Sequence, residues 1–310
     1  MRRDVGIRRR EALSAIGGAV LGGISGCLGD SMSLTVIAAG SLAKTIDAHV
    51  GPAFEEETGI SVHGEYYGTN ALIRLIEDET KHPDVVISAD NQLLRDRLYP
   101  EYTDWDVEFA SNRVGLGYGP DTSFGESLAG GEPWYTIALE SDEGDLSIGD
   151  PDLDPLGYRA IQAFQLAEEE YGLDNFESRI LERVAIEPDE PQMMASVAAG
   201  NRAASIVYRN MAIDHDMPFH EFSPLYNFSD PALNDHYSTA SYTTDEESYT
   251  AIGRAIVYNT TVLGDADEPA HGYEFIQYTI DNPGLLEDAG LTVPSTLPLG
   301  YGDVPNEVSV

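Results

Sequence analysis

The sequence runs to 310 residues, more than one hydrophobic core usually organises and suited to two lobes of about 100–150 residues each. Aspartate and glutamate outnumber lysine and arginine by 54 to 17, and the formal net charge of −37 is spread along the chain between apolar segments, so the surface repels nucleic acid and anionic lipid. Molar salt shortens the screening length to about 3 Å and makes such a surface tolerable, which points to a salt-adapted organism, while 42% hydrophobic content and regular strand-like runs argue against disorder.

The first residues read as an export signal. Arg8-Arg9-Arg10-Glu11-Ala12-Leu13 precedes an apolar stretch from Ala15 to Ile24 that is too short to span a bilayer and the right length for a signal peptide core. Paired arginines indicate the twin-arginine route. Ile24-Ser25-Gly26-Cys27 resembles a lipobox, so residues 1–27 are expected to be signal peptide and lipobox, with lipid on the sulfur of Cys27 and a linker over 28–33. The alternative for Cys27 is an incidental buried thiol. As the chain has one cysteine, no intrachain disulfide can form.

From there the chain alternates strands and helices. Leu34 to Ala39 is a β-rich run, Gly40-Ser41 a tight turn, and Leu42 to Thr58 a helix ending near Gly59. Ile60 to Tyr67 is a strand, followed by the turn Gly68-Thr69-Asn70 and a helix from Ala71 to Asp78. Asp84 to Ile87 is a buried strand that runs through Ser88-Ala89-Asp90 into a helix from Asn91 to Leu98. Arg113 to Tyr118 is read as a strand crossing to the second lobe. There the pattern repeats with a strand at Leu146 to Gly149, a long helix from Leu156 to Tyr171, a helix from Met193 to Ala199, a strand from Ala204 to Tyr208 and a helix from Arg209 to His215. Ala251 to Asn259 returns the chain to the first lobe, which a helix from Ala270 to Asp281 completes. The expected division is 34–112 plus 256–300 for lobe 1, 113–255 for lobe 2 and 301–310 for a tail. Two α/β lobes joined by crossing strands imply a ligand cleft between them, the architecture of hinge-closing binding proteins.

The loops after the first-lobe strands share one chemical theme. Ser41, Thr69 and Ser88 place small hydroxyls where helices begin, positions whose unpaired N–H groups and helix dipole favour an anion. Ordinary N-capping is the better explanation of any one of them, and it is the three together that point to a shared oxyanion site. No lysine or arginine appears in these turns, which suits a reversible, neutral hydrogen-bonding cradle. His215, His220 and His236 lie on polar stretches without ligand spacing, so no zinc site and no cofactor are expected.

These segments carry a resemblance to the archaeal tungstate/molybdate-binding proteins of ABC importers, over nearly all of the chain after the signal. In the first lobe it rests on Ala39-Gly40-Ser41-Leu42, Gly68-Thr69-Asn70-Ala71 with Ile73-Arg74, Val85 to Asp90, and Tyr99-Pro100-Glu101-Tyr102 with Trp105. The second lobe adds Asp154-Pro155-Leu156-Gly157-Tyr158-Arg159, the segment Glu190 to Gly200, and Val207-Tyr208-Arg209. The resemblance implies a two-lobed type II periplasmic-binding-protein fold that is monomeric, lipid-anchored on the outer face of the membrane and non-enzymatic, handing tungstate or molybdate to an ABC importer permease. It further implies first-lobe donors around the oxyanion and two second-lobe carboxylates, Asp154 and Glu190, on the metal itself. Hexavalent tungsten and molybdenum are hard, oxygen-seeking centres that expand their coordination, whereas sulfur in sulfate does not.

By the residues alone, Asp154 reads as a helix cap before Pro155 and Glu190 as a solvated charge in Glu187-Pro188-Asp189-Glu190, and only the resemblance lifts them to ligands. Pro191 directly after Glu190 departs from the family pattern, which leaves Glu221 as the alternative second carboxylate. Leu156 stands where the family often has cysteine. Tyr208 is either a ligand donor or a lobe-packing residue. Two other functions compete: capture of a different oxyanion such as sulfate, thiosulfate or phosphate, which needs no carboxylate at the ligand, and an extracytoplasmic enzyme using Asp154 and Glu190 as a carboxylate pair, for instance on a glycan.

Overall fold

The computed structural model of the chain describes residues 32–245 and 249–310. The expected signal segment with Cys27, and residues 28–31 of the expected linker, lie outside the described residues. Among the described residues no helix is long and apolar enough to cross a membrane.

Strand β1 (Ser33–Ala39) buries every residue from Val36 onward, as a strand covered on both faces of a parallel sheet must. It pairs in parallel with β2 (Ser61–Tyr67) and β3 (Val85–Ser88), and the sheet continues through later strands. The helix expected over 42–58 is not regular. Gly40–Leu42 is one 3₁₀ turn, Thr45–Val50 widens into a π turn, and only Gly51–Thr58 (α1) is α-helical. Pro52 has no N–H to give to the carbonyl of the preceding turn, and the wider turn absorbs the break. Helices α2 (Thr69–Glu77) and α3 (Asn91–Leu98) follow β2 and β3.

Strand β4 (Trp105–Ser111) was not anticipated: it alternates apolar residues with Asp106 and Glu108, yet all seven residues are buried. Arg95 neutralises both carboxylates, donating to Asp106 at 2.8 Å and Glu108 at 2.8 Å. After β4 the chain crosses through Asn112 and Arg113 into a second sheet. This contains β5 (Val114–Tyr118), β6 (Leu146–Gly149), β7 (Ala185–Glu187), β8 (Ala204–Tyr208) and β9 (Phe219–Glu221) in the order β7-β6-β8-β5-β9. Around it lie α4 (Ser123–Ala129), α5 (Trp134–Glu140), α6 (Pro155–Tyr171), α7 (Phe176–Leu181), α8 (Glu190–Ala198), α9 (Arg209–Asp214) and α10 (Asn234–Tyr237). Trp134 anchors this core, with its ring 4.6 Å from that of Phe222.

A hairpin of β10 (Ser241–Thr243) and β11 (Thr250–Ile252) precedes the return crossing, so the β-like run expected over 251–259 is two strands separated by residues 253–256. Strand β12 (Val257–Val262) then enters the first sheet antiparallel between β3 and β4. Helices α11 (Pro269–Asp281) and α12 (Pro283–Asp288) follow. The last strand, β13 (Leu299–Gly302), pairs with β4 and completes the order β13-β4-β12-β3-β1-β2, so Tyr301 and Gly302 belong to a sheet. Two α/β lobes joined by two crossings form a type II periplasmic-binding-protein fold. The carboxyl ends of β1, β2 and β3 face the starts of α6 and α8 on the other lobe.

Candidate functional site

The three helical starts at the ends of β1, β2 and β3 differ in one respect. The 3₁₀ turn at Gly40 and helix α2 begin without any side-chain cap, whereas Asp90 Oδ1 caps α3 by accepting from Gln92 N and Leu93 N, both at 3.1 Å. The first two starts therefore present first-turn N–H groups with no side-chain acceptor of their own. Ser41 is held from both lobes: its carbonyl accepts from Asn210 Nδ2 at 2.6 Å and its hydroxyl lies 3.2 Å from Tyr258 OH. Asn112 Nδ2 donates to Tyr258 OH at 3.0 Å, so the tyrosine proton can go to Ser41 and leave the serine proton for a ligand. Thr69 Oγ1 accepts from Ala89 N at 3.1 Å and likewise keeps its proton.

Ser88 does not. It ends β3 instead of opening a helix, donates to Asp90 O at 2.7 Å and accepts from Asp90 N at 2.9 Å, so its one proton is committed to bracing the turn. Beside Thr69, Asn70 is fully buried with neither amide atom partnered. An unpaired buried amide costs about 1–3 kcal/mol per group, which marks it as a group made for something the protein alone does not supply.

The second lobe contributes acids. Asp154 is the N-cap of α6, its Oδ1 accepting from Leu156 N at 2.8 Å, so the capping role is real. Glu190 is the first residue of α8, which Asp189 caps, and Pro191 occupies the first turn, where no N–H is required. Pro191 is thus accommodated within the first turn of α8. Both carboxyls are buried, and each lies within electrostatic reach of the other. Burial pushes Asp154 up to about 6, against the pull of its bond from Leu156 N and of the Arg159 charge. Burial and then the adjacent Asp154 charge push Glu190 well above the usual carboxylate range. Both acids are thus pushed toward the neutral form, and Glu190 Oε2 has no hydrogen-bond partner.

The two halves meet closely. A Cβ on Gly40 would collide with Glu190 Oε2, and one on Gly68 would lie 3.0 Å from Asp154 Cβ and 2.9 Å from the Leu153 carbonyl carbon. Ala71 N donates to Leu153 O at 3.2 Å and Arg74 Nη2 to Asp152 O at 3.0 Å, so the lobes are closed on each other. A cavity of about 410 Å³ opens at this seam, lined by Gly40, Tyr66, Gly68, Asp154 and Glu190 among others and by no lysine or arginine. A larger cavity of about 840 Å³ lies elsewhere, beside α3 and β13. Its arginines are engaged, Arg95 by Asp106 and Glu108 and Arg254 by Gln92 Oε1 at 3.1 Å, and it touches neither acid of the pair.

Glu221, the alternative second carboxylate, sits exposed on β9 and pairs with Arg113 at 2.9 Å, away from Asp154. Tyr208 is fully buried; its hydroxyl accepts from Arg159 Nη1 at 2.6 Å, and its own proton has no acceptor among the described residues. Burial pushes it up, with the charges of Asp154 and Glu190 adding to the effect, which places it within electrostatic reach of the pair. Packing residue and potential donor are thus the same tyrosine. Tyr258, Asn112, Asn210 and Asn70 were missed as site residues; only Asn70, inside the Gly-Thr-Asn turn, carried a local signal. No group of three or more His, Cys, Asp or Glu placed to hold a metal ion occurs among the described residues.

Residues 34–284 match the family described as bacterial extracellular solute-binding protein. An uncharacterized solute-binding protein of Halobacterium salinarum is 45% identical, covering 97% of each chain. A putative ABC transporter molybdenum-binding protein of Haloferax volcanii is 34% identical over 96% of this chain and 95% of that one. The molybdate/tungstate-binding protein of Pyrococcus abyssi is 27% identical over 92% and 93%. Among solved structures, the periplasmic molybdate-binding protein of Azotobacter vinelandii superposes with a TM-score of 0.59 at 16% identity, over 84% of this chain and 100% of that one. The sulfate-binding protein of Mycobacterium tuberculosis gives 0.60 at 16%, over 85% and 88%. At such identities the structural likeness speaks to fold alone.

Proposed function

We propose, from the premise that the chain belongs to the bacterial extracellular solute-binding protein family, that this ABC-transporter binding protein captures tungstate or molybdate by bonding the metal to Asp154 and Glu190. The observation that carries the reading is the carboxyl pair itself. Two acids buried against each other, with Glu190 Oε2 unpartnered, form a poor site for a tetrahedral dianion held by hydrogen bonds, because they repel it. They form a good site for a centre that accepts two further oxygen ligands, as hexavalent tungsten and molybdenum do. Ser41, Thr69, Tyr208 and Asn70, with the uncapped starts at Gly40 and α2, would supply donors to the oxyanion's own oxygens. Ser88 would act indirectly, by holding the turn after β3.

The test is calorimetry in molar KCl against tungstate, molybdate, sulfate and phosphate, for the wild type and for Asp154→Ala with Glu190→Ala. The double variant is expected to lose tungstate affinity by orders of magnitude and to keep or improve sulfate binding, each tenfold change corresponding to about 1.4 kcal/mol. X-ray absorption at the metal edge should read an octahedral centre in the wild type and a tetrahedral one in the variant. A tetrahedral wild-type centre together with unchanged affinity in the variant refutes the assignment and leaves simple oxyanion binding, with sulfate as the first alternative. Anchoring by lipid on Cys27, export by the twin-arginine route, and delivery to a permease by a monomer belong to the same proposal. They are motivated by the paired arginines and by Ile24-Ser25-Gly26-Cys27. Intact mass of membrane-derived protein decides the anchor: an unmodified chain beginning at Met1 would rule it out.

A further inference from the structure

Arg159 is a charged side chain that joins the two lobes. It lies on α6, one turn beyond Asp154, and is 1% exposed. Its Nη1 donates to Ala89 O at 2.9 Å and to Tyr208 OH at 2.6 Å, and its Nη2 to Asp90 Oδ2 at 3.3 Å. Ala89 and Asp90 belong to the first lobe, Tyr208 to its own. The neighbouring Tyr158 OH donates to the same Asp90 Oδ2 at 2.6 Å. Asp90 divides its carboxylate by lobe: Oδ1 caps α3 at home, while Oδ2 is given wholly to Tyr158 and Arg159 across the cleft. Ser88, bonded twice to the Asp90 backbone, fixes the turn on which Arg159 lands.

We propose that Arg159 is the latch of cleft closure, a positioning residue that docks on Asp90 and Ala89 and thereby sets how long the closed state and its cargo persist. When the lobes part, the guanidinium loses two of its three partners and Asp90 Oδ2 loses both of its own, whereas the cap of α3 and the bond to Tyr208 remain. Because the same helix carries Asp154 at its start, landing Arg159 on Asp90 also delivers the first carboxylate to the seam against Gly68. The latch is buried and therefore little screened, so it holds at the molar salt that cancels surface charge. The statement about cargo rests on the proposed oxyanion reading; the statement about closure does not.

Spin labels on Glu56→Cys and Glu170→Cys, exposed positions on lobes 1 and 2, in a full-chain Cys27→Ser background would report lobe separation with and without saturating tungstate. Stopped-flow tyrosine and tryptophan fluorescence would give tungstate association and release. In Arg159→Met and in Asp90→Asn, the closed population should fall and release should quicken by at least about 30-fold, with association nearly unchanged. Asp90→Asn retains an oxygen for the α3 cap and separates the latch from simple misfolding. Arg159→Lys, which keeps the charge without the forked reach, should fall between Arg159→Met and wild type. Closure that responds to the variants without any tungstate binding supports the latch and sinks the oxyanion reading. Unchanged closure and release in both variants, or a wild type with no closed population in either condition, overturns the latch.

Discussion

Replacing Glu190 by glutamine should make the ligand-free protein more stable at pH 8 and change it little at pH 4. In the folded chain both acids of the pair hold their protons more tightly than in the unfolded chain. The folded state therefore binds more protons across the interval, and stability falls as pH rises from about 4 through about 6 and beyond, as first Asp154 and then Glu190 is made to ionise. Below about 4 both states are protonated and the penalty is absent. Asp154 rises from 3.8 to about 6, and at 1.36 kcal/mol per unit its share is about 3 kcal/mol. Glutamine removes the ionisation of Glu190 and leaves Asp154 in its buried capping position. The expected gain over wild type at pH 8 is the ionisation penalty of buried Glu190, which is absent at pH 4. Denaturant titrations of both ligand-free proteins at constant molar KCl measure it, and the dozens of other carboxylates cancel in the difference between the two. A difference that is the same at pH 4 and pH 8 would refute the burial account.

Gly68→Ala and Gly40→Ala should spare the fold and weaken cargo binding by about 5- to 150-fold, since the added methyl meets the opposite lobe only when the cleft shuts; calorimetry beside thermal melts separates the two effects. Ser41→Ala should lower affinity about tenfold or more, whereas Ser88→Ala should show mainly in the melting temperature, because only the first hydroxyl keeps a proton to give. Thermal melts from dilute buffer to several molar KCl should rise steeply for a chain of net charge −37, and a flat profile would refute the salt-adapted reading.

Strands β1, β2 and β3 were legible from their sequence, the first two ending at glycine turns, and α3, β6 and β8 match their expected limits residue for residue. What failed to show was anything stabilised by a partner distant in sequence. Strand β4 reads as half-polar until Arg95 and Asn259 are brought against Asp106 and Glu108. Asp154 was recognisable as a cap, and its burial beside Glu190 becomes visible only in three dimensions. Glu190 itself, in an acidic run, carried no local sign of burial beyond the order Asp-Glu-Pro, which in retrospect spells a helix start with Asp189 as the cap. Ser88 illustrates the opposite error. A serine after a strand looks like a helix-starting donor, but Asp90 two residues on is the stronger cap, and the serine is consumed in supporting it.

The arrangement of donors and acids also bears on how discrimination is divided between the lobes under the proposed reading. A cradle of N–H groups, hydroxyls and an amide on the first lobe would offer the same welcome to sulfate as to tungstate, since both are tetrahedral dianions that accept hydrogen bonds. Choice enters when α6 and α8 bring Asp154 and Glu190 against Gly68 and Gly40. Closing over sulfate leaves both acids buried without a Lewis acid. At neutral pH that keeps both acids at the cost that burial imposes on their charged forms. Closing over a metal centre that accepts their oxygens converts the same burial into bonds. Selectivity would then reside in the closure step and not in first contact, and the association rates of sulfate and tungstate should be similar while their release rates differ by two orders of magnitude or more. Stopped-flow comparison of the two anions on the wild type measures this directly; equal release with unequal association would place the choice in the first-lobe cradle instead.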